Sequence, residues 1–255
     1  MNVKLTFLGT GTSQGVPIIG CDCPVCRSAD PRDKRLRSAA LVQCCDRTVL
    51  VDCGPDFRTQ MLREDVHHLD AILLTHNHKD HTGGLDDTRA LEYTDSWKAD
   101  IYCEPKVLDT LKVEYDYVFF EKKYPGAPEW NIHLIDENPF DIGAVHVIPI
   151  RGMHGKMPIL GFRFGDIAYI TDFSSIPESE YSKLQGLEHL TLNTVCYHPH
   201  YSHFCLDEAL AQARRIGARH TWLTHLSHNL PPHAEFCDEL PEGILPAYDG
   251  LTITD

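Results

Sequence analysis

Residues 75–81 read THNHKDH, directly after the apolar run DAILL at 70–74 and shortly before Gly83-Gly84. Four metal-ligand side chains, His76, His78, Asp80 and His81, fall within six positions. The preceding run is short and branched, as a buried strand requires, so the motif begins where a strand ends. Loops at strand ends are where functional sites are grafted. Two residues apart on extended backbone, His76 and His78 point the same way. Asp80 and His81 are adjacent, at the turn into a following helix, and point elsewhere. Four such donors are hard to focus on one ion. They suit two ions about 3.5–4 Å apart.

Two ions need more ligands, and the second half of the chain offers them. His154 lies in RGMHGKMP, expected as a loop between strands. Asp172 ends the expected strand IAYIT, and His225 ends TWLT. The allocation expected is His76, His78 and His154 on one ion and Asp80, His81 and His225 on the other. Asp172 bridges, because a carboxylate has two oxygens to share.

The pattern around these residues gives the architecture. Strands are expected at 3–8, 39–45, 48–52, 70–75 and 100–103, with helices at 55–65, 85–93 and 105–115. The stretch 120–143 is rich in Pro, Gly and Asn around a strand-like WNIHLI, and reads as a seam between two halves of one 1–255 domain. Strands resume at 144–150, 159–164, 167–171, 189–196 and 219–225, with an edge strand at 251–254. LDEALAQARRIGA (206–218) is the clearest helix, with Leu206, Ala209, Leu210, Ala213 and Ile216 on one face and Gly217 to close it. Each half runs strands first, then strand-helix alternation. Two mixed sheets packed face to face with helices outside, an α/β four-layer αββα sandwich, satisfy that order.

Composition narrows the function. The chain has 255 residues and a formal net charge of −14. That charge repels long polyanions, and the basic clusters (Lys34, Arg35, Arg37; Lys122-Lys123) are too short to offset it, so extended nucleic acid is an unexpected partner. No apolar run reaches about eighteen residues, so no membrane span is expected. The N-terminus MNVKLTFLGTG lacks a signal peptide's apolar core, which points to the cytoplasm. Oligomeric state is left open, a homodimer included.

Ten cysteines in a reducing compartment read as thiols or metal ligands. Seven of them (Cys44, Cys45, Cys53, Cys103, Cys196, Cys205, Cys237) are expected as small buried hydrophobes. Cys21, Cys23 and Cys26 differ. Cys23-Pro-Val-Cys26 has the form of a redox pair. Yet C-x-C-x-x-C suits one tetrahedral zinc, for which His228, three residues after His225, is the best fourth ligand. Such a site would be structural and would pin the 15–37 loop against the segment carrying His225. Thr12 and Ser13, in the glycine turn GTGTSQG, either aim backbone N–H groups at a phosphate or simply end a strand.

HNHKDH with downstream His154, Asp172 and His225 resembles the metallo-β-lactamase superfamily of hydrolases over nearly the whole chain. LTFLGTGTSQGVP resembles the first strand and glycine turn of its phosphodiesterase and tRNA-processing branch. VDCGPDFR resembles the family's strand-end Asp motif, which implies that Asp52 supports the metal ligands. The cysteine cluster after the glycine turn resembles the cyclic phosphodiesterases of bacterial phosphonate degradation, whose paired site takes zinc or manganese. The resemblance implies a His three residues after the last active-site His as the fourth structural-zinc ligand, here His228. It also implies His203 as the group assisting the leaving oxygen, with His198 and His200 as competitors in the same stretch.

The expected activity is hydrolysis of a small anionic phosphodiester, a cyclic phosphate above all. With two divalent ions, Asp80, Asp172 and a hydroxide, the site carries about one net positive charge, which favours such a substrate. Asp80 counts both as ligand and among the catalytic residues. The alternatives are a glyoxalase-type thioesterase or lactonase, a tRNA 3′-processing endonuclease, which would need a basic RNA-clamping arm, and a non-enzymatic metal-binding protein.

Overall fold

Strand after strand in this chain is apolar on both faces, so each sheet must be covered twice. In β3 (Arg47–Val51) Val49 and Val51 face one side and Leu50 the other; in β4 (Ala71–Leu73) Ala71 and Leu73 oppose Ile72. The first set belongs to a core between two sheets. The second set packs outward against the helices Phe57–Arg63 and Pro105–Glu114.

The computed structural model describes residues 2–95 and 98–255. Among them, the first sheet also holds β1 (Lys4–Gly9), β2 (Ala39–Cys44), β5 (Ala99–Cys103), β6 (Trp130–Leu134) and β14 (Thr252–Thr254), in the order β14-β1-β2-β3-β4-β5-β6. The second holds β7 (Phe140–Ile142), β8 (Val145–His154), β9 (Met157–Phe164), β10 (Ile167–Tyr169), β11 (His189–Asn193), β12 (His220–Thr224) and β13 (Ile244–Pro246), in the order β13-β12-β11-β10-β9-β8-β7. The chain passes from one sheet to the other between β6 and β7. The helix Leu206–Ile216 covers the outer face of the second sheet through Leu206, Ala209, Ala213 and Ile216, and Gly217 closes it in the left-handed conformation (φ 71°). This is the αββα sandwich. Deleting a ring from its centre, as in Phe162→Ala, belongs to the class that costs about 3–5 kcal/mol.

β3 to β6 run parallel, as do β10 to β13. Ligands in open parallel sheets bind outside the strands' carboxyl ends. Asp52, Thr75 and His76, Asp172 and His225 all lie just past such ends.

Several expectations need correction. His154 is not in a loop: it is the last residue of β8, paired with Met157 across a tight Gly155-Lys156 turn. Gly and Pro around it suggested a loop, but Pro158 takes its place in β9 opposite Met153. Asp172 stands three residues beyond the end of β10, and Asp80 and His81 lie inside a one-turn helix, Lys79–Thr82. Cys45 is exposed at the β2–β3 turn, and Cys196 and Cys237 are only partly buried.

Candidate metal centre

Asp172 is the hub. Its Oδ2 lies 3.2 Å from His81 Nε2 and its Oδ1 3.2 Å from His225 Nε2. His81 Nε2 is also 3.2 Å from Asp80 Oδ2. The donor atoms of Asp80, His81, Asp172 and His225 lie within 4.8 Å of one another, and all four residues are buried. Beside them, the rings of His76, His78 and His154 are mutually close, with centroids 4.6, 4.9 and 5.5 Å apart. The rings of His76 and His81 are 4.2 Å apart, so the two groups adjoin. The structure thus brings together all seven residues that the spacing singled out.

The inner nitrogens show why these rings point as they do. The Thr75 hydroxyl donates to Asp52, so His76 Nδ1–H must donate to Thr75 Oγ1 at 2.9 Å. His81 Nδ1–H donates to Asp52 Oδ2 at 2.6 Å, and His154 Nδ1–H to the Asp172 carbonyl at 2.8 Å. Each bond turns Nε2 into the cluster, the nitrogen that a cation would take in place of a proton. Asp52 thus touches Thr75 and His81 and stands behind the cluster.

The backbone is held in an unusual shape here. Asp52, Asp172 and His225 have φ of 65°, 66° and 55°, a left-handed conformation that costs non-glycine residues roughly 1–2 kcal/mol each. Neighbouring bonds fix it. Asn193 takes the Phe173 N–H at 2.7 Å and returns an N–H to the Phe173 carbonyl at 2.9 Å; Leu226 N–H reaches the Thr10 carbonyl at 2.8 Å. Gly54 has no side chain because a Cβ there would meet the Asp80 carbonyl at 2.0 Å.

Electrostatics favour a cation. Burial alone would lower the His81 pKa, but Asp172, Asp52 and Asp80 outweigh it and raise it well above the usual histidine value. Burial likewise works to raise Asp172, but His225 and His81 hold it well below the carboxylate range. His76 is driven down by burial and by His81. Among the described residues, the buried ring nitrogens without a hydrogen-bond partner are His76 Nε2, His81 Nε2 and His203 Nδ1, all in this cluster. Orphaned nitrogens facing buried carboxylates fit divalent ions.

His203 is half-buried, its Nδ1 3.7 Å from Asp172 Oδ1 and its ring 4.6 Å from that of His154. With His154 and Asp172 it forms a third ligand-type group. Burial, then His225, pushes its pKa down to about 3. His200 is exposed, its ring 5.0 Å from that of His203, and His198 is exposed farther along the same loop.

A second cluster lies apart. Cys21, Cys23 and Cys26 place sulfurs 3.2, 3.6 and 3.7 Å from His228 Nδ1. The edge of a tetrahedral zinc site between S and N is about 3.5 Å. The Cys26 N–H, the largest influence, holds the Cys23 thiol down to about 6, while burial pushes Cys26 up to about 11. All ten cysteines are unpaired, and no helix among the described residues is long and apolar enough to cross a membrane.

Sequence reasoning missed Thr75, Ser38, Thr171 and Asn193, which orient the ligands or their backbone. Serines, threonines and asparagines at strand ends are too common to carry a signal.

A model of the β-lactamase superfamily domain matches residues 47–226. An octanoyltransferase of Porphyromonas gingivalis (strain ATCC BAA-308 / W83) is 40% identical over 254 residues, covering 98% of this chain and 51% of that protein. The chain spans about half the length of that curated relative. The crystal structure of a diphosphatase from the PhnP family is 41% identical, with a TM-score of 0.94, covering 100% of this chain and 98% of that one. Zn(2+)-bound PqqB from Methylobacterium extorquens shares the fold, with a TM-score of 0.78 at 20% identity over 98% of this chain and 99% of that one.

Proposed function

Because this chain belongs to the β-lactamase superfamily of hydrolases, and within it to the PhnP family, we propose that it is a metal-dependent phosphodiesterase acting on a small anionic substrate, a cyclic phosphate above all. The observation that carries this reading is the convergence of seven ligand-type residues beyond the strand ends, where buried ring nitrogens lack partners. His76, His78 and His154 would hold one ion, Asp80, His81 and His225 the other, and Asp172 both. Two divalent ions, zinc or manganese, would supply a nucleophilic hydroxide at neutral pH and offset charge on the phosphoryl oxygens.

The chain's own residues do the positioning. Thr75, Asp52 and the Asp172 carbonyl hold His76, His81 and His154 by Nδ1, with Nε2 turned into the cluster. His203 stands at the edge of the cluster, where a leaving oxygen would emerge. In the free protein burial keeps its imidazole neutral. Beside a bound phosphate anion that ring would take up a proton from solvent and give it to the leaving oxygen, returning to its neutral form. Cys21, Cys23, Cys26 and His228 would hold one structural zinc, bracing the loop that adjoins the His225 segment.

A second reading, cleavage of a diphosphate linkage, is favoured by the PhnP-family diphosphatase. The octanoyltransferase supports acyl chemistry only if its matched half carries it. A panel on zinc- and manganese-loaded protein tests all three: a bis-aryl phosphate, cyclic ribose phosphates, a diphosphate diester, a thioester and a lactone. Turnover of phosphodiesters supports the proposal. Turnover of the acyl substrates alone would overturn it.

A further inference from the structure

Ser38 is buried and directly precedes β2 in the first sheet, while His225 directly follows β12 in the second. Ser38 Oγ lies 2.9 Å from the Gly11 carbonyl and 3.0 Å from His225 Nδ1. A hydroxyl has one proton, and a carbonyl can only accept. The Ser38 proton therefore goes to Gly11, and at the other contact the imidazole must donate. His225 is left with Nδ1–H and a bare Nε2, which lies 3.2 Å from Asp172 Oδ1. The backbone bond from Leu226 N–H to the Thr10 carbonyl flanks this contact at 2.8 Å.

We propose that Ser38 is a positioning residue: its hydroxyl, polarised by the first strand's glycine turn, locks the tautomer and ring direction of His225 across the two sheets. The inference rests on the reading of His225 as a metal ligand. It also gives the Gly9–Gly15 turn a role, as the anchor of that lock. The two imidazoles sharing Asp172 are backed differently. His81 donates to a buried carboxylate, Asp52, which strengthens it as a donor; His225 donates to a neutral hydroxyl. Loss of Ser38 should therefore weaken one ion only, and by less than loss of Asp52 does.

The test begins with metal-free protein. Imidazole 15N spectra, with His225 assigned by its loss in His225→Gln, should show His225 in the Nδ1–H form. In Ser38→Ala the signal should move toward a mixture of tautomers. Affinity for one of the two active-site ions should fall at the low end of roughly 10–100-fold, with the other ion and the cysteine-site zinc unchanged. If Ser38→Ala does not fold, the near-isosteric Ser38→Cys, whose thiol is a weak acceptor, should give the same change in smaller degree. An unchanged tautomer, or equal loss of both ions, would overturn the proposal. If the wild type shows the tautomer lock but cleaves no phosphodiester, the functional reading fails while the role of Ser38 stands.

Discussion

The histidine-carboxylate centre and the cysteine cluster are built on opposite plans. The first draws its donors from strand ends in both sheets, and folded groups back the rings: Thr75 behind His76, Asp52 behind His81, the Asp172 carbonyl behind His154, Ser38 behind His225. The second takes three donors from residues 21–26, with Cys23 capping and Cys26 inside the one-turn helix Pro24–Arg27, and one from the turn after β12. Its sulfurs are backed only by local N–H groups, Cys26 N–H on Cys23 Sγ and Ile18 N–H on Cys26 Sγ, both at 3.4 Å. A centre oriented by packed strands keeps its shape without ions. A cluster built on one short segment would be shaped by an ion bound there. The first plan would suit chemistry, which needs ligands preset around an open face; the second would suit cohesion.

The sharpest way to break the comparison is at His203, which edges the centre without an inner partner on its Nδ1. His203→Ala should lower turnover of a phosphodiester by about 10²–10⁴ with both active-site ions retained, read by steady-state kinetics and metal analysis. Loss of an ion instead would place His203 among the ligands, with His154 and Asp172. Next comes Asp52→Asn, which keeps the shape but removes the charge behind His81. It should reduce metal affinity by roughly 10–100-fold, measured by competition with a chelator.

The cysteine cluster should respond in stability rather than rate. Cys23→Ser should lose about one zinc per chain and lower the melting temperature by at least about 4 °C, the shift that 1–2 kcal/mol gives a chain of this size. Full zinc retention would contradict a Cys3His site.

A pH effect is expected at His233, which packs against the 15–37 loop through Arg35 and Asp33. His233 is buried, with Nδ1 3.4 Å from the Arg35 guanidinium, and burial, then Arg35 and Arg32, lower its pKa to about 4. Neutral in the fold, it binds a proton once unfolded near pH 6.5. Its contribution to stability is therefore complete above about pH 6.5 and is lost as pH falls through about 4. Thermal melts from pH 7 to 4 should be flatter for His233→Gln than for the wild type.

The centre was legible in the sequence because HNHKDH packs four donors into six positions after an apolar strand, and three strand-end donors could be matched to it. The layers were legible because β3, β4 and their neighbours are apolar on both faces. What escaped had physical reasons. β13 is three residues ending in proline, β7 is three residues inside a Pro- and Asn-rich stretch, and the helix His233–Glu239 follows two prolines with little periodicity. Ser38 and Thr75 act through a single hydroxyl each, and only the fold reveals what faces them.

The most direct test is a metal titration. Chelator-stripped protein, reloaded stepwise with manganese or zinc, is assayed on a bis-aryl phosphate while bound metal is counted, beside Asp172→Ala. The account predicts that activity appears as two ions fill the histidine-carboxylate centre and that Asp172→Ala neither binds the pair nor turns over. Full activity in Asp172→Ala, or none in wild type with both ions bound, would contradict it.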